Sequence, residues 1–434
     1  MNKNQFKTER AGARGLPLII AIAAVSWAAP RPAAAQAAVS TGTITLAQVL
    51  AAVENDNPEI AAARARWEAA KESAVQAGTP GKPRVDIERM YAPLGGNIIN
   101  NAMEKNIAVT QESPFPTTLF LQHRRAVQET DIAEQAYRAK MREVSARAEQ
   151  VYALLFLARR ALDIFNENVE IMRRFSKVAE AKYAAGHSSQ LDVLKAQTEL
   201  TRMLNMVVTV DQERQSDEAM LNALLNREAR APLGAPADPN PGALDLQLEQ
   251  LEADAFSGRP ELRQALLETG KAATELSLAK SEFLPDLMLQ FRYRDAPTEP
   301  EGSSRDAVVG FSVPLWFWKP MAKVAEARAA KASSESDLQT MRLATDADLK
   351  TAWIRARTAE RLADIYKTTL LPQAQESLSV AESGYQAGDN GFLDLLDAQR
   401  SLLNYRLEYF QDLAEYEQRF SELERVVGKE LRKP

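Results

Sequence analysis

The 434 residues predict a mainly α-helical fold with a small β part. Long antiparallel helices form an α-helical barrel, and two β-hairpins contribute four strands to a trimeric 12-stranded membrane β-barrel. Three observations lead there. The chain repeats itself, because Tyr183-Ala-Ala-Gly186 with Leu191-Asp192 returns 202 positions later as Tyr385-Gln-Ala-Gly388 with Leu393-Asp394. Residues 117–185 contain neither Gly nor Pro, which at ~1.5 Å per residue describes a rod on the order of 100 Å. Two short segments also alternate apolar and polar residues around turn signals, as strands with one lipid-facing side do.

Residues 1–37 read as an export signal. Lys3, Lys7, Arg10 and Arg14 precede an apolar stretch too short to span a bilayer, and Ala33-Ala34-Ala35 or Ala35-Gln36-Ala37 offers a cleavage site. Cleavage removes five Lys/Arg and one Glu, a net +4, and takes the formal charge from −6 to −10. Such an acidic chain makes a poor nucleic-acid partner. The absence of Cys excludes disulfides, thiolate metal sites and a Cys-linked lipid anchor.

Repeat one covers 38–230, with a helix at 46–77, a β-hairpin at 84–111, the long helix 117–185 and a return helix at 189–226. A linker at 231–258 follows. Repeat two covers 259–428, with a helix, a β-hairpin at 286–313, a long helix at 321–383 and a return helix at 392–427, before a tail at 429–434. Asn57-Pro58 and Arg259-Pro260 mark matching helix starts. Pro372 predicts a kink within the second long helix. The two shorter helices of repeat one span about 48 and 57 Å, so stacked end to end they match the long one. In the last helix Leu396, Leu403 and Phe410 recur at seven, as do Leu395, Leu402, Tyr409, Tyr416 and Leu423. Two adjacent seams suit a helix packed on both sides, as in a wall.

The second hairpin puts Leu287, Leu289, Phe291 and Tyr293 on one face and Met288, Gln290, Arg292 and Arg294 on the other. The first flanks the turn Pro93-Leu-Gly-Gly-Asn97. By pattern alone each hairpin fits a half-buried soluble sheet as well as a membrane barrel. Four strands fall short of the roughly eight that close a membrane barrel, so membrane-type strands require copies to pool them, and three copies give twelve. Trp316 and Trp318 after the final strand read as interface aromatics.

These features together resemble the TolC family of outer-membrane efflux channels. The carriers are Leu46-Ala-Gln-Val-Leu-Ala, Asn57-Pro58-Glu59-Ile60, Pro83 and Pro285, Gln111-Glu-Ser-Pro-Phe-Pro116, and the doubled Tyr-x-x-Gly-x4-Leu-Asp-x-Leu-x-Ala-Gln. Nearly the whole mature chain is covered. Met90-Tyr-Ala-Pro-Leu-Gly-Gly-Asn97 and Gln111 to Pro116 look most like the branch paired with heavy-metal RND pumps. The resemblance implies a homotrimer in outer-membrane lipid with its helical barrel in the periplasm. It also implies docking through a periplasmic adaptor (membrane fusion) protein to an inner-membrane RND pump. The sequence holds no nucleophile–base constellation and no phosphate-cradling Gly loop, so neither catalysis nor a cofactor is expected.

Gly186 and Gly388 are C-cap glycines at helix–turn–helix corners. The resemblance makes these corners the periplasmic tips, where Gly186, Ser188, Ser189, Asp192, Tyr385, Gly388, Asp389 and Asn390 would meet the adaptor. Asp394 and Asp397 share one helix face just above the second tip. Three copies would place six carboxylates in a cation-favouring pore constriction; the alternative is two solvated charges favoured by the helix dipole. The first copy carries Asp192 but Lys195 at those places. Where the family's familiar lock has an Arg, this chain has Asn390. His123 and His187 are not spaced as a metal pair, and Met90 and Met103 read as filler. An exit duct for efflux, a duct for type I protein secretion or drug efflux, and a periplasmic coiled-coil scaffold all remain readings of the sequence.

Overall fold

The computed structural model describes residues 42–90, 104–239, 247–295 and 302–432. The export signal, the Pro93–Asn97 turn, Met103 and the last two tail residues lie outside the described residues.

Repeat one runs β1 (Thr43–Ile44), α1 (Leu46–Asp56), α2 (Pro58–Ala77), β2 (Arg84–Met90), β3 (Glu104–Ser113), α3 (Pro116–Ala184) and α4 (Gln190–Leu224). Repeat two follows a short β4 (Ala235–Pro236) with α5 (Leu248–Gly258), α6 (Pro260–Ser281), β5 (Asp286–Asp295), β6 (Ser304–Ser312) and α7 (Trp318–Ile365). A π-helical turn at Tyr366–Leu370 leads into α8 (Leu371–Ala387), and α9 (Phe392–Val427) ends the fold. The sequence predicted a linker at 231–258, but its second part is helix α5. Shifted by 202, Leu46–Asp56 becomes Leu248–Gly258, so α5 is the counterpart of α1 and repeat two starts earlier than the Arg259-Pro260 motif suggests.

The repeated Pro starts have a physical cause. Asn57 Oδ1 accepts from the amides of Glu59 and Ile60 at 2.8 and 3.3 Å, capping α2 while Pro58 fills a first-turn place where no donor is needed. Asn57 Nδ2 donates to the Leu224 carbonyl at 2.8 Å, so the start of α2 is tied to the end of α4. The two shorter helices thus stack end to end along the 69-residue α3. In repeat two the same junction brings Gly428, at φ +77°, against Gly258. A Cβ on Gly428 would lie 2.8 Å from the Gly258 carbonyl oxygen, so the close approach and the left-handed turn both require glycine.

Pro372 falls in the first turn of α8 rather than inside a continuous helix. The π turn before it widens the ladder by one residue, and the Leu371 amide bonds Tyr366, five positions back. This relieves the clash between the proline ring and the carbonyl four residues earlier, which would otherwise kink the rod. The second long element is therefore α7, π turn and α8 in series, while α3 is unbroken.

Three apolar clusters hold the helices together. One, around Val49, Val144, Leu155 and Leu221, joins α1, α3 and α4. A second, around Leu251, Leu349, Tyr416 and Leu423, joins α5, α7 and α9. The third, around Phe165, Met172, Leu378, Phe392 and Leu396, packs α3, α4, α8 and α9 together toward the Gly corners.

The hairpins form one antiparallel sheet in the order β2-β3-β5-β6, with Ala108 opposite Arg292 and Gln290 opposite Val308. Its faces are inverted relative to a soluble sheet. Glu104, Asn106 and Thr110 are buried on one side, where Arg294 Nε donates to Glu104 at 2.6 Å and Gln290 Nε2 to Thr110 Oγ1 at 3.0 Å. Ile87, Val109, Phe291, Val309 and Phe311 stand exposed on the other, Phe291 by 65%. A contiguous apolar face of this kind is stable only against another apolar phase. No described helix is long and apolar enough to cross a membrane.

Candidate pore entrance and lipid-facing sheet

Directly after β6, Trp316, Phe317 and Trp318 are exposed, and the Trp316 and Trp318 rings lie 5.4 Å apart. They sit where the apolar strand face gives way to α7, a place that suits amphipathic rings at a membrane boundary.

At the far end of the helices are the two Gly corners. In the first, Gly186 takes φ +76°, its amide bonds the Tyr183 carbonyl, and His187 reaches back to Lys182. Ser189 then caps α4. Its hydroxyl accepts from the Asp192 amide, and its own amide donates to Asp192 Oδ2, each at 3.3 Å. The Ser188 hydroxyl adds a third contact to Asp192 at 2.8 Å. Burial works against the Asp192 charge, but these donors and nearby Lys195 outweigh it and hold the carboxyl below its ordinary range.

In the second corner Gly388 takes φ +90°, and the amides of Asp389 and Asn390 both bond the Gly384 carbonyl. The Asn390 side chain packs onto the Gly384 backbone, where a Cβ would lie 2.4 Å from its amide nitrogen. Asp394 reaches back to the Gly391 amide at 3.0 Å, capping α9 as Asp192 caps α4. Asp394 and Asp397 are both exposed on one face of α9, beside exposed Leu393.

The predicted tip residues divide. Gly186, Ser189, Gly388 and Asp389 are exposed, and Ser188, Asp192 and Asn390 are half-buried. Tyr385 corrects the expectation of a surface residue, because it is only 5% exposed. Its ring lies 5.7 Å from Phe392, and the Lys182 ammonium sits 4.3 Å from the ring centre while also donating to the Tyr385 carbonyl. Burial pushes the phenol above its usual range. Its repeat-one counterpart, Tyr183, is 49% exposed.

Three partners were missed in the sequence. Lys182 joins the two tips. Glu199, almost wholly buried on α4, takes both Nε and Nη2 of Arg400 on α9, at 3.2 and 2.5 Å. The Asn168–Gln399 hydrogen bond of 2.6 Å crosses the apolar cluster between α3 and α9. Aligning the copies would have flagged the first two, because Lys182 answers to Gly384 and Arg400 to Thr198.

A sheet with an exposed apolar face, continued by helices of about 100 Å that end in capped corners, defines a subunit of a membrane-anchored duct. The chain belongs to the outer membrane efflux protein family, which it matches over residues 49–227 and 252–429, one stretch per repeat. It is 26% identical over 297 residues to the cobalt-zinc-cadmium resistance protein CzcC of Cupriavidus metallidurans, covering 66% of this chain and 68% of that protein. It is 27% identical to protein CyaE of Bordetella pertussis over 65% of this chain and 61% of that one. The fold superposes on the crystal structure of CusC with a TM-score of 0.77 at 16% identity, covering 89% of this chain and 92% of that chain.

Proposed function

We propose that three copies of this chain form the outer-membrane exit duct of a tripartite efflux system. Four strands from each copy close a twelve-stranded barrel in lipid, and the helices continue it as a tunnel through the periplasm. The observation that carries this reading is the inverted sheet, whose apolar face is exposed while Glu104 and Arg294 pair on the opposite face. Passage is passive, and energy comes from an inner-membrane RND-type pump reached through a periplasmic adaptor at the Gly corners. Adaptor docking is assigned to the exposed corner residues Gly186, Ser189, Gly388 and Asp389, with Ser188, Asp192 and Asn390 behind them. Metal cations are the favoured cargo, supported by the likeness to CzcC and by the exposed Asp394–Asp397 pair.

The test joins fractionation, bilayer recording and gene deletion. The protein is expected in the outer membrane, in trimers that conduct in planar bilayers, and its loss is expected to sensitise cells to divalent metals more than to hydrophobic drugs. Release by salt or chaotrope, with no conductance, would instead mark a periplasmic scaffold. Sensitivity to drugs alone would overturn the metal cargo while leaving the duct.

A further inference from the structure

Between α3, α9 and the short β1–β4 ribbon lies a cavity of 310 Å³ that duct function does not use. This is within the range of small-molecule sites, roughly 300–1,000 Å³. One wall is apolar, from Ala47, Ala153 and Phe156, and the other carries Glu149, Glu417 and Arg432. The Glu417 side chain is only 10% exposed. Its Oε2 accepts from Arg432 Nη2 at 2.5 Å, but its Oε1 is shut from solvent without a hydrogen-bond partner. A buried carboxylate oxygen left open is costly and asks for a donor.

The neighbouring polar groups are already engaged. The Tyr152 hydroxyl lies 3.0 and 3.2 Å from the Ile44 and Ala237 carbonyls, and Asp238 accepts from Arg160 Nε at 3.1 Å. Glu424 Oε1 accepts from the Leu431 and Arg432 amides at 2.7 and 3.2 Å. Two pocket carboxylates therefore face one guanidinium, which leaves one negative charge without a counterpart when both ionise. Burial, with repulsion from Glu424 and Glu417 and against help from Ser421 and Arg432, pushes the Glu149 carboxyl up to about 7. Burial also raises Glu417, opposed by Arg432 and reinforced by Glu424. Among the described residues no three carboxylates or imidazoles converge to hold a metal ion, and the apolar wall offers no ligands.

We propose that this cavity binds a small organic ammonium ion with an apolar body. The ammonium pairs with the Glu417 and Glu149 carboxylates, and the body lies against Phe156 and Ala153. The site is independent of whatever passes along the duct.

The test is isothermal titration of the full-length protein in detergent with phenethylammonium chloride, and with 2-phenylethanol as its neutral counterpart. Saturable binding of the amine is expected, tighter at pH 8 than at pH 6 because the carboxylates must ionise, with no binding of the alcohol. Glu417→Gln is expected to weaken binding about tenfold or more. Ala47→Phe, at an exposed lining position, is expected to abolish it by filling the cavity with every charge in place. No saturable heat from the amine would overturn the proposal, as would equal binding of the alcohol or normal binding by the Ala47→Phe protein. The last two decide the question even if Glu417→Gln fails to fold.

Discussion

At the end of α3, Lys182 reaches out of the first tip and places its ammonium on the Tyr385 ring. At the matching place in the second tip stands Gly384, whose lack of a side chain lets Asn390 lie against its backbone. Tyr183 is half exposed where Tyr385 is buried, and Lys195 stands where the second copy has Asp397. One duplicated motif has thus become two different objects. The first tip is closed locally by the Ser188–Ser189–Asp192 cap. The second is held by its neighbour and turns two carboxylates outward. Both copies carry the first aspartate, Asp192 and Asp394, so the difference in charge between the tips rests on Lys195 against Asp397.

Substitutions at paired positions break or sharpen this comparison. The largest difference is expected at the tyrosines. Tyr385→Ala empties a packed site and should cost about 3 kcal/mol, whereas Tyr183→Ala should stay within about 1 kcal/mol. Denaturant midpoints of the two variants measure this, and equal losses would mean the tips are not held differently. Next come the corners that end the return helices. Asn226 takes φ 55° and its counterpart Gly428 takes φ 77°, where a Cβ would lie 2.8 Å from the Gly258 carbonyl oxygen. Gly428→Ala should therefore cost about 2 kcal/mol, while Asn226→Gly should be close to neutral.

A smaller, pH-dependent difference is expected at Glu149, whose counterpart in repeat two, allowing for the residue that the π turn inserts, is the exposed Lys350. The folded protein raises this carboxyl from 4.5 to about 7, so folding favours its protonated form. The contribution is whole below about pH 4.5 and is lost as pH climbs through 7. Glu149→Gln should then raise stability by about 1–2 kcal/mol at pH 8 and leave it unchanged at pH 4, as thermal melts in the two buffers would show.

Much of this architecture was legible in the sequence because period and punctuation are local signals. The uninterrupted 117–185 run, the alternation from Leu287 to Tyr293 and the Gly corners each report on a few neighbouring residues. The α5 helix was not legible as a counterpart of α1, because Leu248–Gly258 shares little more than its apolar spacing with Leu46–Asp56. Pro372 announced an irregularity, but the ladder's answer, a π turn, depends on how α7 and α8 pack on α9. The tip contacts were hidden for a stronger reason. Lys182 and Tyr385 are 203 positions apart, and so meet only because the two repeats lie side by side with their Gly corners at one end. The Glu104–Arg294 pair depends in the same way on the register between hairpins.

The most direct test of the difference between the tips is single-channel recording from planar bilayers. It compares the wild type with a variant carrying Asp394→Ala and Asp397→Ala, and uses Lys195→Ala as the matched change in the first tip. If the second tip carries the constriction, the double variant conducts more and loses cation preference, while Lys195→Ala changes neither. Unchanged conductance and unchanged selectivity in the double variant would contradict it.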